Sequence, residues 1–154
     1  MKLAEALALR ADARHRVEQL RSRITANARY QEGEEPAEDA TVLLTEADTV
    51  LDELEVWIRR INRTNAATPL GAHGTLTDAL ARRDVLRLRH SVLAAAADAA
   101  AGSGGGYRQL RSELRTLSAL PVAELRTRAD DVAREIRELD TAVQQANWTV
   151  ELLD

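Results

Sequence analysis

Starting at Val122 and stepping alternately by three and four residues, the chain reads Val122, Leu125, Ala129, Val132, Ile136, Leu139, Val143, Ala146, Val150 and Leu153. Every position is apolar. A helix turns about 100° per residue, so steps averaging about 3.5 hold one narrow stripe on one side of it; sustained over this length, the stripe is the sequence form of a coiled-coil seam. Arg126, Asp130, Arg134 and Glu138 fall outside the stripe. Pro121 stands where the helix should begin, because in the first turn its missing N–H would have no intrahelical acceptor.

Three further segments share the period. Ala40, Leu43, Ala47, Val50, Leu54, Trp57 and Ile61 form a seam doubled one position on by Leu44, Leu51 and Ile58, which implies contact with more than one neighbour. A first segment offers Leu3, Ala6, Arg10, Ala13, Val17, Leu20 and Ile24, interrupted by Arg10, and should run to about Arg29. A third, from Leu76 to about Ala101, sets Val85, Leu88, Val92 and Ala96 beside Leu86, Leu93 and Ala97, with Gly102 as its stop. Phenylalanine is absent and the only aromatics are Tyr30, Trp57, Tyr107 and Trp148, so the core must be aliphatic. Segments of roughly 24 to 28 residues make rods of about 36 to 42 Å, matched in length. The expected fold is therefore all-α: an antiparallel bundle of about four long helices with coiled-coil-like seams, forming one domain over residues 1–154. Residues 109–120, with Leu110, Leu114 and Leu117 at helical spacing, read equally as a helical turn or as a short extended crossover before the last helix.

Composition narrows the function. There is no cysteine, which excludes disulfides, thiol catalysis and thiolate metal ligation. The opening "MKLAEALALRADARHR" breaks its apolar run at Glu5 and Arg10 and so does not read as a signal peptide; a cytoplasmic protein is expected. The most apolar window, "VLAAAADAAAG", is short and carries Asp98, so no membrane-spanning helix and no stable membrane insertion is expected. With 21 basic and 25 acidic residues the net charge is −4, against a dedicated nucleic-acid binder. Lys2 is the one lysine among those 21, and so arginine-rich a composition reflects genome bias as much as function.

Few residues offer chemistry. The acidic loop of Glu32, Glu34, Glu35, Glu38 and Asp39 lacks the ligand spacing of a calcium loop and reads as a solvated turn, with Glu38 and Asp39 favouring the positive end of the second helix. His15, His73 and His90 have no metal-binding spacing; His90 falls near the apolar face of the third helix, as a core-edge histidine with a hydrogen-bond partner would. "GSGGG" is a linker and not a phosphate cradle. The arginines of the third helix, Arg82, Arg83, Arg87 and Arg89, could face phosphates or acidic residues of a neighbour, but local partners in sequence, Asp78 for Arg82 and Asp84 for Arg87, compete for them and are the expected pairs. No metal site, cofactor or complete catalytic set is legible, and the chain is not expected to be an enzyme.

The corner "INRTNAATPLGAHGTLTDAL" is the most polar break between helices. Asn62 and Asn65 read as terminators of the second helix, Pro69 and Gly71 as the break, and Thr75 or Thr77 as the cap of the third. Capping needs fewer polar groups than the corner contains. Asn62, Arg63, Thr64 and Asn65, with Asp84, Arg87 and His90, are therefore the candidate binding residues, extending to Thr68.

"MKLAEALALRAD", "NARYQEGEEPAED", "RINRTNAAT", "LTDALARRDVLRLRHSVL", "RSEL" and "RELDTAVQQANW" together resemble an uncharacterised family of small bacterial proteins often labelled septicolysin, over nearly the whole chain. The resemblance implies a small helical protein, with an extended segment where this chain has Leu114, Leu117 and Leu120. Its label implies a pore-forming cytolysin; no catalytic residue comes with it.

The function expected is a scaffold that self-associates through helix faces, as a homo-oligomer with a dimer the default. Its marker is Trp148, about 200° around the helix from Ala146 and so off the seam. A ligand- or nucleic-acid-binding module built on the corner is the alternative, and the cytolysin another.

Overall fold

Each periodic apolar run is a helix. The computed structural model of the chain describes residues 1–102 and 114–154. Among these it is all-α: α1 (Leu3–Asn27), α2 (Ala40–Ala67), α3 (Leu76–Ala100) and α4 (Val122–Thr149), with a 3-10 turn at Gly71–His73. Residues 115–117 are neither helix nor strand, and 103–113, which carry Tyr107, Leu110 and most of the glycine linker, lie outside the described residues.

The chain forms two compact units, one of Met1–Pro69 with Gln145–Asp154, the other of Leu70–Gln144. In the first, α1 and α2 pack along the seams. Ala13, Leu20, Leu43 and Val50 are buried, and Val17, Ile24, Ala47 and Leu54 pack against them. The pairing is antiparallel, since Arg16 meets Glu46 at 2.6 Å while Arg23, further along α1, meets Glu38, before the start of α2. Such exposed pairs are screened by water and salt and add little, whereas a fully buried leucine contributes about 1.5 to 3 kcal/mol. Burial supplies the stability and charge sets the register.

The loop acids divide the work expected of both. Asp39 caps α2, accepting from the Thr41 N–H at 2.8 Å, while Glu38 turns back to Arg23, its own N–H donating to Asn27 Oδ1 at 3.0 Å. In the second unit, Leu93 and Ala97 of α3 pack on Leu125 and Ala129 of α4. As numbers rise along α3 from Arg83 to Asp98, the partners on α4 fall from Asp140 to Arg126, so this pair is antiparallel too.

Two boundaries differ from expectation. α2 runs through Asn62 and Asn65 to Ala67, and among the described residues only glycines have positive φ, so neither asparagine is a terminator. The stop comes at Thr68, held extended at φ −87° and ψ 113° because the residue before a proline is excluded from helical geometry. At the other end the seam of α4 was expected to finish at Leu153. The helix stops at Thr149, and past it Leu152 turns inward while Leu153 is exposed.

Candidate functional site

The last turns of α2 hold the last residues of the chain. Thr64 is fully buried, and its hydroxyl donates to the Arg60 carbonyl at 2.8 Å while accepting the Leu153 N–H at 3.0 Å. Arg60 Nε donates to the Leu153 carbonyl at 3.0 Å, and its Nη2 reaches Asp154 Oδ1 at 2.6 Å. Arg63 Nη1 donates to the Asp154 carbonyl at 3.1 Å. The Arg60 guanidinium also lies 5.7 Å from the centre of the Trp57 ring, a cation–π distance. Arg60, Arg63 and Thr64 fall on one face because they are three to four positions apart on a helix. They capture backbone that has no helix or sheet of its own to satisfy it.

The same tail is anchored at the other end of the unit's sequence. Leu3 N–H donates to the Val150 carbonyl at 3.0 Å and Leu152 N–H to the Met1 carbonyl at 2.9 Å, an isolated antiparallel bridge. Lys2 Nζ reaches Glu151 at 2.6 Å and the Thr149 carbonyl at 2.9 Å, and the Met1 amine meets Glu151 at 3.0 Å. Hydrogen bonds from Lys2 and then from that amine hold the Glu151 carboxyl below its ordinary range.

Of the corner residues singled out in the sequence, Arg63 and Thr64 thus serve the tail. Asn62 is exposed and Asn65 half-buried, and neither side chain has a hydrogen bond among the described residues. Thr68 donates its hydroxyl to the Thr64 carbonyl at 2.7 Å and belongs to the helix stop.

In the second unit Asp84, Arg87 and His90 are on α3. Arg87 meets Asp140 of α4 at 3.2 Å, and Arg83 meets the same carboxylate at 3.5 Å. Arg82 pairs with Glu135. The partners expected from sequence were on α3 itself, and the pairs form across to α4 instead. Asp78 is withheld from Arg82 because it closes the cap of α3: its carboxylate accepts the Thr75 N–H at 2.8 Å, and that bond holds its pKa down. Among the described residues Asp84 meets Arg83 alone, at 3.6 Å. His90 is half-buried and, among the described residues, has no hydrogen bond or ion pair, contrary to the partner expected for it. The structure therefore brings Asp84 and Arg87 together with Arg83 and Asp140, and Arg63 and Thr64 together with residues 153–154.

Reading by residue type missed Arg60 and Asp140. The partner of Arg60 is the Leu153 carbonyl, which no local spacing announces. Among the described residues no three His, Asp or Glu side chains gather to hold a metal ion. A groove of about 530 Å³ between α1 and α2, lined by Leu9, Asp12, Arg16, Val50, Glu53 and Trp57, has mixed walls. Trp148 remains within α4, one residue before its end, and stands 67% exposed.

Residues 10–152 match the model of a family described as "Family of unknown function (DUF6847)". A crystal structure of a functionally unknown conserved protein from Corynebacterium diphtheriae matches the chain with a TM-score of 0.91 at 37% sequence identity, over 99% of each chain. No curated protein matches. These findings agree with a bacterial family of uncharacterised function, and neither carries the cytolysin label.

Proposed function

We propose that this chain, which belongs to the family of unknown function DUF6847, is a non-enzymatic cytoplasmic scaffold that self-associates through helix faces. The observation that carries the reading is Trp148. Its helix continues past it to Thr149, and yet the largest apolar side chain type in the sequence stands 67% in water. A tryptophan held rigidly on a helix and left exposed is the kind of residue that anchors interfaces, where its area and its N–H are both used. Leu44 and Leu51 on α2 add to the exposed apolar surface.

Two other readings have less behind them. Arg60, Arg63 and Thr64 are committed to residues 153–154, so a ligand at the corner would have to compete with the chain's own tail. For the cytolysin reading, no described helix is long and apolar enough to cross a membrane, and no observation favours it. Multi-angle light scattering of the purified chain at micromolar concentration tests the scaffold reading. A mass of two or more chains is expected, and a monomer at every concentration would end it.

A further inference from the structure

α3 carries two apolar stripes, and α4 uses one of them. Leu86, Leu93 and Ala97 are buried, the last two against Leu125 and Ala129. The other stripe, in alternating steps of four and three, is Ala81, Val85, Leu88, Val92, Ala95 and Ala99, and all six are exposed. Val85 stands 54% in water and Leu88 and Val92 each 68%. At about 100° per residue this stripe lies roughly 150° around α3 from the buried one, so neither can be the edge of the other. It is a heptad seam with no partner helix on it among the described residues.

We propose that the seam is covered by the same seam of a second copy of this chain, with the two α3 helices parallel and in register about a twofold axis. This rests on the self-association reading and adds to it a surface and geometry on α3, in the unit that does not hold Trp148. Two features select the occupant. The spacing puts Val85 and Val92 at the first core position of the heptad and Leu88 at the second, the β-branched-then-leucine arrangement that favours two parallel strands.

The flanks select the direction. Arg82 and Arg89 line one side of the seam, Asp84 and Asp98 the other. In a parallel pair each flank faces the opposite flank of the partner, with an offset of five residues, so Asp84 of one copy meets Arg89 of the other, twice by symmetry. In an antiparallel pair like flanks meet, setting arginine against arginine and aspartate against aspartate. Arg89 is available for this, having no ion pair among the described residues, and Asp84 has only the 3.6 Å approach of Arg83. Ala95 and Ala99 let the backbones close up at the far end. The seam is under three heptads, short for an isolated coiled coil, but α3 is already folded on α4 and association need not bear the cost of helix formation.

The chain has no cysteine, so single cysteines report contacts cleanly. Ala81→Cys and Ala99→Cys, at the two ends of the seam, should each give a disulfide-linked dimer on mild oxidation, because a parallel twofold places every core position opposite itself. An antiparallel pair sets these two ends against each other about 27 Å from their own copies. In that case neither variant crosslinks alone and a mixture of the two does, which overturns the proposed direction. As a second measure, Arg89→Asp should weaken the dimer about tenfold, and Asp84→Arg added to it should restore most of the loss. No crosslinking from either variant or their mixture, with native mass still above one chain, would overturn the α3 seam while leaving the scaffold reading intact. A monomeric native mass without crosslinks would overturn both. Circular dichroism of each variant guards against loss of fold.

Discussion

The hydroxyl of Thr64 accepts a hydrogen bond from the Leu153 N–H at 3.0 Å and donates its own proton to the Arg60 carbonyl at 2.8 Å. One buried side chain thus satisfies a backbone donor 89 residues away and returns its hydrogen to its own helix. Valine has the same shape without the hydroxyl, so Thr64→Val would strand the Leu153 N–H at little cost in packing. The expected loss is about 1 to 3 kcal/mol by chemical denaturation, with Thr64→Ser losing clearly less. Hydrogen exchange at the Leu153 amide should accelerate in the valine variant and not in the serine variant. Equal exchange in both would show that the bond does not hold the tail.

Gly74 provides a second check. Its φ is +77°, a left-handed conformation, and a Cβ added there would lie 2.6 Å from Asp78 Oδ2, inside the cap of α3. Gly102 has the same φ with nothing within 4 Å of an added Cβ. Gly102→Ala bears a conformational cost of about 1 to 2 kcal/mol, and Gly74→Ala, whose ψ of −129° lies outside the left-handed helical well, bears at least that. Gly74→Ala should be worse by about a further 1 kcal/mol, the worth of the displaced cap. Thermal melts of the pair give the difference directly, and equal melting temperatures would exclude the steric contribution.

What could be read beforehand was whatever repeats within one helix. The seam of α4 from Leu125 to Ala146, the boundaries of α3 and a cap at Thr75 or Thr77, of which Thr75 is the one used, all follow from rules a few residues long. The roles of Thr64, Arg60 and Asp140 do not, because each is fixed by a partner on another segment. Leu153 illustrates the limit: the period that held from Val122 to Ala146 stopped applying where the helix stopped, at Thr149. Asn62 and Asn65 were read by their residue preferences, and the helix overrode them until Pro69 forbade its continuation.

Among the described residues three carboxyls are held below their ordinary values: Glu38 chiefly through its hydrogen bond to Arg23, Glu151 through Lys2, and Asp78 through the Thr75 N–H. A lowered folded-state pKa means that the unfolded chain binds protons first as pH falls. The stabilisation is present above the ordinary values, 4.5 for Glu and 3.8 for Asp, and is lost as pH drops through the lower folded values. Stability should therefore be level from neutrality to about pH 5 and decline below it. Added salt should blunt the part owed to Glu38 and Glu151, which face cations in solvent, and spare the part owed to Asp78, which faces a backbone N–H. Glu38→Gln and Glu151→Gln should each flatten the acid limb, and an unchanged limb in both would remove these pairs as its cause.

Arg10 interrupts the α1 seam between Ala6 and Ala13, and its Nε is buried without a hydrogen-bond partner among the described residues. Arg10→Met keeps the aliphatic stem and removes the unsatisfied donor. It should raise stability by about 1 kcal/mol in denaturant melts. A loss of stability instead would mean that the guanidinium makes a contact the described residues do not include.

Trp148 separates folding from assembly. Being 67% exposed in the single chain, it contributes little to the fold, so Trp148→Ala should leave the unfolding of dilute protein within about 0.5 kcal/mol of the native chain. Burying an indole at an interface removes a large apolar area from water, and truncating such an anchor costs about 2 kcal/mol or more of binding. The variant should then dissociate at a concentration some 30-fold or more above that for the native chain, at about 1.4 kcal/mol per factor of ten. Sedimentation over a dilution series measures this. Acrylamide quenching in a Trp57→Phe background, where Trp148 is the remaining tryptophan, should show the indole becoming shielded as the native interface forms. A Trp148 that stays fully quenchable at concentrations where the mass exceeds one chain would place it outside every contact between copies.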